Sequence, residues 1–373
     1  MSHAAGPPRR IAWPRTRVTD LLSLRYPIVQ GPFGGGPSTA ALVSTVSNAG
    51  GLGSFGAQSL APEAIAPLVE EIRALTPHSF AINLWVSTHD VAEAEMTRER
   101  FDAAIERLRP AYEACDVEPP PYPERFSPTF EEQAEALIEA SPPAFSFVYG
   151  IPGEGILQAC RDRGIVTIGA AATPAEAVAL DEAGVDVIVA SGAEAGGHRV
   201  AFLDVAERSL VGTIALVPAV VDRVAAPVVA AGGIADARGV VAALALGAEG
   251  AQLGTAFLAT EESGASPEQK ALLLDGTAHR TELTCALTGR LARGIPNELL
   301  KLTDGAGAIE PFPYQSYLLR PILQAAHDQG RTDLAKLWSG QAAALLRHRR
   351  AADLVEALVA GVDELLGPAA TTA

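Results

Sequence analysis

The sequence predicts an α/β chain folded as a (β/α)8 TIM barrel with a helical lid subdomain and C-terminal helices, and three observations carry that prediction. Short all-apolar runs recur, each followed by a segment of helical spacing, which is the alternation of a parallel sheet covered on both faces. The 373 residues leave room for a barrel of roughly 250 residues with additions. Two glycine-bearing turns, VVAAGGIAD (Val228–Asp236) and GAQLGTAFL (Gly250–Leu258), fall at the last two strands. That is where such barrels cradle a phosphate, whereas a doubly wound open sheet would carry its glycine-rich turn after the first strand.

Taken in order, the strands are expected at residues 27–30, 51–54, 80–85, 144–149, 165–169, 185–190, 227–231 and 250–253. Ser38 is placed to cap a helix that runs through Val46 and stops at Gly50–Gly51. Thr173–Pro174 starts another ending near Gly184, and Asp236 caps a third ending at Gly247. The alternation breaks twice. Residues 87–143 hold a charged helical stretch, Ala92–Arg109, followed by the proline-rich EPPPYPERFSP, which cannot continue a helix. After Leu258, residues 262–315 read as helical and then irregular, and the remainder to about Leu366 as helix. The expected organisation is a flexible arm over 1–16, a barrel over 17–261 with the excursion at 87–143, a lid or substrate subdomain over 262–315, and C-terminal helices packed on the barrel over 316–373.

Composition narrows the partners. Hydrophobic residues make up 48% and charged residues 19%, enough for a large core. A formal charge of -16 argues against nucleic acid or an anionic membrane, since both need basic patches. Cys115, Cys160 and Cys285 are odd in number and widely spaced, so neither a disulfide framework nor a metal site is expected. No run reaches the roughly 20 apolar residues of a membrane span. A cytoplasmic protein is expected, acting on a small molecule, and a homo-oligomer is compatible with this composition.

The two glycine turns suit a phosphorylated ligand because Gly232 and Gly233 let the backbone approach a phosphate closely and adopt φ values closed to other residues. Thr255 adds a hydroxyl donor and Gln252 a side-chain amide. The competing reading is a pair of ordinary strand-to-helix turns.

Taken together, PIVQGPFGGGPS, NAGGLGSFG, FAINLWV, SGAEAGGHR, AAGGIAD and QLGTAFL, followed by Thr288–Gly289–Arg290, resemble the nitronate monooxygenases, formerly 2-nitropropane dioxygenases. The resemblance spans residues 20–300 and implies an FMN-binding TIM barrel that oxidises alkyl nitronates with O2. It places Asn83 near the ring or ribityl chain, and Gly196 and Gly197 in the loop beside the flavin. Gly232, Gly233, Gln252, Leu253, Gly254 and Thr255 fall around the phosphate, and Gln30 and Gly31 in main chain lining the isoalloxazine. Two positions depart from the family. Val148, in Ser146–Phe147–Val148–Tyr149–Gly150, stands where the family has the histidine that takes the substrate's α-proton, and Ser191 stands where it commonly has glutamine near the flavin.

With valine in the base position, His198 is the remaining candidate for acid–base catalysis, the alternative being that it orients the glycine loop. Glu194 reads as a loop brace. Tyr149 follows Val148 on a strand and is expected to face the helices. His78, His89, His279 and His348 have no motif context, and the cysteines read as packed thiols. The GxEAGGH loop also resembles flavin-containing enoyl-acyl-carrier-protein reductases, so an FMN- and NAD(P)H-dependent reductase, or a flavin-binding homologue without turnover, stands as the alternative.

Overall fold

The structure, a computed structural model, describes residues 11–87, 95–276, 278, 280–305 and 307–367. His89, His279 and the first residues of the expected Ala92–Arg109 helix lie outside the described residues. Eight parallel strands form the barrel: β1 (Ile28–Gln30), β2 (Gly53–Gly56), β3 (Phe80–Trp85), β4 (Ala144–Val148), β5 (Val166–Ala171), β6 (Val187–Ser191), β7 (Val228–Ala231) and β8 (Gly250–Leu253). Each pairs with its neighbour in sequence, and β8 pairs with β1 in the register Ile28↔Ala251. A parallel bridge, Val29↔Leu52, joins β1 to β2 and closes the ring.

Inside the ring the side chains are small and branched: Val29, Leu52, Ala81, Ala144, Ile168, Val187 and Val229 fill one cluster, with Val18 and Leu22 of the helix Arg17–Leu22 forming its floor. That helix starts because Thr16 and Thr19 cap it reciprocally. The opposite strand faces pack on the outer helices in a larger cluster around Leu42, Ile72, Phe145 and Leu216.

Two of the three helix starts are as read. Thr173 forms a capping box with Glu176, and Asp236 accepts from the Arg238 and Gly239 amides at 3.0 and 3.4 Å. The first helix instead starts at Ala40 on Thr39, whose hydroxyl accepts from Leu42 N at 2.9 Å. Ser38 is engaged elsewhere, accepting from Phe33 N and Gly56 N at 2.9 and 3.2 Å, so it braces the loop after β1.

The short helix after β8, Thr255–Leu258, is too small to cover the sheet. That task falls to the helix Ala351–Leu366, which packs on Ala237–Ala245 and Ala40–Asn48 across the seam between the last and first strands. Gly361 allows the approach, since a β-carbon there would lie 2.6 Å from Ala237 Cβ. Trp13 Nε1 donates to Asp363 at 2.7 Å and ties the N-terminal segment to the same helix.

Between those two helices the chain builds a second core with the excursion. The helix Arg98–Cys115, capped by Thr97, runs through Pro110 and past the expected end at Arg109, because Ala111, Tyr112 and Cys115 are buried against Leu318, Leu319 and Ile322 of the helix Tyr314–Asp328. Glu310 sits between Arg100 and Arg107 at 2.6 and 2.5 Å. A small antiparallel sheet, Glu282–Thr284 with Ala292–Gly294 and Gly197–His198, has no counterpart in the sequence reading. Residues 329–350, expected to be helical, run as turns, bends and irregular chain with one short 3-10 turn at Ala343–Leu345. Gly330, at φ +65°, ends the preceding helix, and the chain then threads back to the barrel mouth.

Candidate active site

A cavity of about 380 Å³ opens at the C-terminal ends of the barrel strands. The sequence-derived residues Gly31, Asn83, Ser191, Gly196, Gly197, Gly232, Gly233, Gln252, Gly254, Thr255 and His198 all line it. Gln30 and Leu253 do not. The Gln30 side chain is fully buried, bonded to Gly31 O and accepting from Ser54 N at 2.8 Å, and Leu253 packs on the helix side of the sheet while its carbonyl accepts from Gly31 N at 2.9 Å.

The glycine loop after β6 is shaped by its charged neighbours. Arg199, fully enclosed, donates to the carbonyls of Gly192 and Ala195 at 2.6 and 3.3 Å, and Arg293 donates to Ala193 O at 3.0 Å. Burial pushes the Arg199 guanidinium down to about 10, with Arg293 adding to the effect. Glu194 is a brace: its carboxylate accepts from Thr213 N at 2.9 and 3.0 Å. The Thr213 hydroxyl lies 2.9 Å from both Glu194 Oε2 and the Gly232 carbonyl, linking the loop after β6 to the loop after β7. At Gly232, with φ +105°, a β-carbon would sit 3.0 Å from Gly192 O and Thr213 Oγ1.

Gly196 is crowded by a segment that sequence reasoning did not bring to the site. A β-carbon there would lie 2.5 Å from Gly340 N. Gly340 N donates to Thr255 Oγ1 at 2.9 Å and Gln341 N to Glu194 O at 3.0 Å. Lys336 and Trp338 from this segment enter the cavity wall. Thr255 therefore uses an oxygen lone pair on Gly340 and keeps its proton to donate.

His198 is gripped from several sides. Its Nε2 is 2.9 Å from Thr288 Oγ1, and the rings of Trp85 and Trp338 pack against it with centroids at 4.9 and 5.4 Å. Desolvation, and then the positive charges of Arg290, Lys336 and Arg199, hold the imidazole well below its ordinary range, so it is neutral at pH 7. Burial likewise lowers the Lys336 ammonium.

Val148, half-buried at the end of β4, belongs to the barrel-interior cluster and lines the cavity. Tyr149 lines it too, which corrects the expectation that it faces the helices. Its φ of +66° breaks the strand alternation. Its ring packs edge-on to Trp85 at 5.1 Å and carries the Arg290 guanidinium 3.9 Å from its centroid. Sequence reasoning passed over Trp85, Phe312, Lys336 and Trp338. The signal available for two of them was rarity, because tryptophan occurs only three times in the chain.

The charge inventory is one-sided. Arg199, Arg320 and Lys336 line the cavity and, among the described residues, no aspartate or glutamate does. No group of three metal-ligating side chains occurs among the described residues, and no helix there is long and apolar enough to cross a membrane. Such a lining suits an anionic guest, with main-chain amides and cations available as polar contacts.

Comparison with known proteins agrees with this geometry. The family model "Nitronate monooxygenase" matches residues 15–361. A probable nitronate monooxygenase of Staphylococcus saprophyticus is 39% identical over 354 residues, covering 94% of this chain and 98% of the relative, and one from Staphylococcus aureus is 36% identical over 356 residues, covering 95% and 99%. Among solved structures, nitroalkane oxidase from Streptomyces ansochromogenes superposes with a TM-score of 0.84 at 34% identity, covering 94% and 98%. FabK from Thermotoga maritima superposes at 0.73 and 28% identity, covering 94% and 97%.

Proposed function

The chain belongs to the nitronate monooxygenase family and is a flavin-dependent oxidoreductase, and from that premise we propose that it binds FMN and oxidises alkyl nitronates with O2. The observation that carries the substrate assignment is a cavity lined, among the described residues, by cations and no carboxylate, with a neutral histidine. A nitronate is the deprotonated form of a nitroalkane, so it needs no base to remove a carbon-bound proton. It needs positive charge to hold its oxygens, and among the described residues the wall supplies cations but no carboxylate.

The glycine turns fit the proposed phosphate. Gly232 and Gly233, at φ +105° and +72°, take conformations open to glycine, and Thr255 offers a donor from the adjoining turn. Asn83, held by a 3.0 Å bond to Ser146 Oγ, Ser191 and the Gly196–Gly197 loop would hold the ring system above the apolar barrel interior. The cofactor supplies the redox chemistry. The protein orients the substrate, excludes water through the aromatic wall of Trp85, Tyr149, Phe312 and Trp338, and keeps His198 a neutral imidazole, with a single N–H, at neutral pH. We read residues 262–315 as the lid that sets the pocket's outer shape.

The test is anaerobic mixing of the purified yellow protein with a panel of alkyl nitronates and, separately, with NADH and NADPH, following flavin absorbance, after heat release and identification of the cofactor. The proposal expects FMN, bleaching by nitronates and reoxidation by O2. Bleaching by a nicotinamide alone, followed by reoxidation with an enoyl thioester, would replace it with the reductase reading that the GxEAGGH loop raises.

A further inference from the structure

The Thr288–Gly289–Arg290 turn has no part in the reading above, yet it meets four elements of the site. We propose that it is a positioning element for His198. Thr288 fixes which imidazole nitrogen carries the proton, and Arg290 locks the turn to the aromatic wall, so that Nδ1 meets the cavity as a hydrogen-bond acceptor. The inference rests on the flavoenzyme reading for its role in turnover but not for its geometry.

The hydrogen-bond inventory of one hydroxyl carries the argument. Thr288 Oγ1, buried, lies 2.9 Å from His198 Nε2, 3.3 Å from the Arg290 carbonyl and 3.4 Å from Arg290 N. A hydroxyl has one proton and two lone pairs. One arrangement satisfies all three neighbours: the proton goes to the Arg290 carbonyl, and the lone pairs accept Arg290 N–H and His198 Nε2–H. Nδ1, which makes no hydrogen bond to protein among the described residues, then carries the imidazole lone pair.

Rigidity comes from the rest of the turn. Gly289, at φ +78°, packs where a β-carbon would be 2.4 Å from Glu310 O and Phe312 N, so the turn fits flush against the 310–312 segment. The buried Arg290 donates to Ser87 Oγ at 3.0 Å, and its guanidinium stacks 3.9 Å from the ring centroids of Tyr149 and Phe312 and 5.0 Å from that of Trp85. The strand Ala292–Gly294 that follows pairs Ala292 with His198 itself. Around the imidazole the charged groups are the cations Arg290, Lys336 and Arg199. Among the described residues it also meets Thr288 and the rings of Trp85, Tyr149 and Trp338. An acceptor in that setting suits an N–H or O–H of the bound cofactor or substrate, leaving anionic oxygens to the cations.

The experiment reads the imidazole directly, in flavin-loaded protein labelled with 15N on histidine, by two-bond 1H–15N correlation between pH 5.5 and 7.5, with the His198 signal assigned from His198→Asn. The expected result is a single neutral Nε2–H tautomer in the parent and in Thr288→Ser, and loss of that single tautomer in Thr288→Val. Arg290→Met should move the imidazole titration upward, and Thr288→Val should lower kcat/KM about 2- to 10-fold, the worth of one neutral hydrogen bond. An Nδ1–H or charged imidazole in the parent at pH 7 overturns the proposal, as does an unchanged tautomer in Thr288→Val. Should no nitronate be oxidised, the spectra still decide the tautomer, so the two readings fail separately.

Discussion

Replacing Gly233 by valine separates phosphate binding from fold stability. Gly233 sits at φ +72°, and a β-carbon there would be 3.4 Å from Glu194 Cβ, which is ordinary contact. The fold therefore has space for the new atom and is charged only for conformation, about 1–2 kcal/mol for an L-residue in the left-handed region, at the upper end for a β-branched one. An unfolding entropy of about 2.1 cal/mol/K per residue over the 373 residues gives about 0.8 kcal/mol per kelvin. Strain of about 2 kcal/mol then lowers Tm by about 2–3 °C. That strain is shared by the empty and loaded protein and cancels in the FMN dissociation constant. What does not cancel is one displaced amide-to-phosphate bond, about 1.5–3 kcal/mol for a charged acceptor, or roughly 10- to 100-fold in Kd. Scanning fluorimetry of the apoprotein reads the first quantity, and quenching of FMN fluorescence on titration reads the second. A Tm drop of the expected size with Kd within about twofold of the parent would show that the amide at 233 does not touch the phosphate.

Two further outcomes follow from the same site. Val148→His places an imidazole on the cavity wall at the end of β4, and since a positioned base is worth about 10²- to 10⁴-fold, it should raise kcat/KM on neutral nitroalkanes relative to nitronates at one pH; an unchanged ratio rules out that position as a base site. His198 is held below its unfolded value near 6.5, so between the two values the unfolded chain binds the extra proton and stability falls on acidification. Urea midpoints of the loaded protein should thus drop below pH 6.5 more steeply in the parent than in His198→Gln, and parallel curves would show that the histidine is not desolvated.

The barrel was readable because its signals are local. Apolar runs of a few residues mark β1 to β8, and Thr173 and Asp236 announce their helices within four residues. The glycine turns were readable for the same reason, since positive φ at Gly232 and Gly233 is a demand on one residue. What escaped was settled by partners distant in sequence. Thr39 rather than Ser38 caps the first helix because Ser38 is drawn to Gly56. The 329–350 segment forgoes helix because Gly340 and Gln341 bond to Thr255 and Glu194. Tyr149 turns inward at a backbone angle that strand alternation cannot foresee, and the two-stranded hairpin at 282–294 finds its third strand at Gly197–His198.

The helix that closes the barrel seam, Ala351–Leu366, carries a consequence for how this chain is assembled and how it can change. It does the work of the eighth barrel helix, but the chain reaches it only after leaving the short Thr255–Leu258 turn and building the Glu282–Gly294 hairpin, the Tyr314–Asp328 helix and the Lys336–Gln341 wall. The mouth is thus a cassette spliced inside the last β/α unit and clamped to the barrel at both ends. On a ribosome the eight strands are complete long before their ring is stapled, and the pocket acquires its far wall only after the strands have been made. For the same reason that insertion is open to exchange or lengthening between its two anchors without altering the strands beneath, whereas trimming the helix Ala351–Leu366 would open the barrel itself.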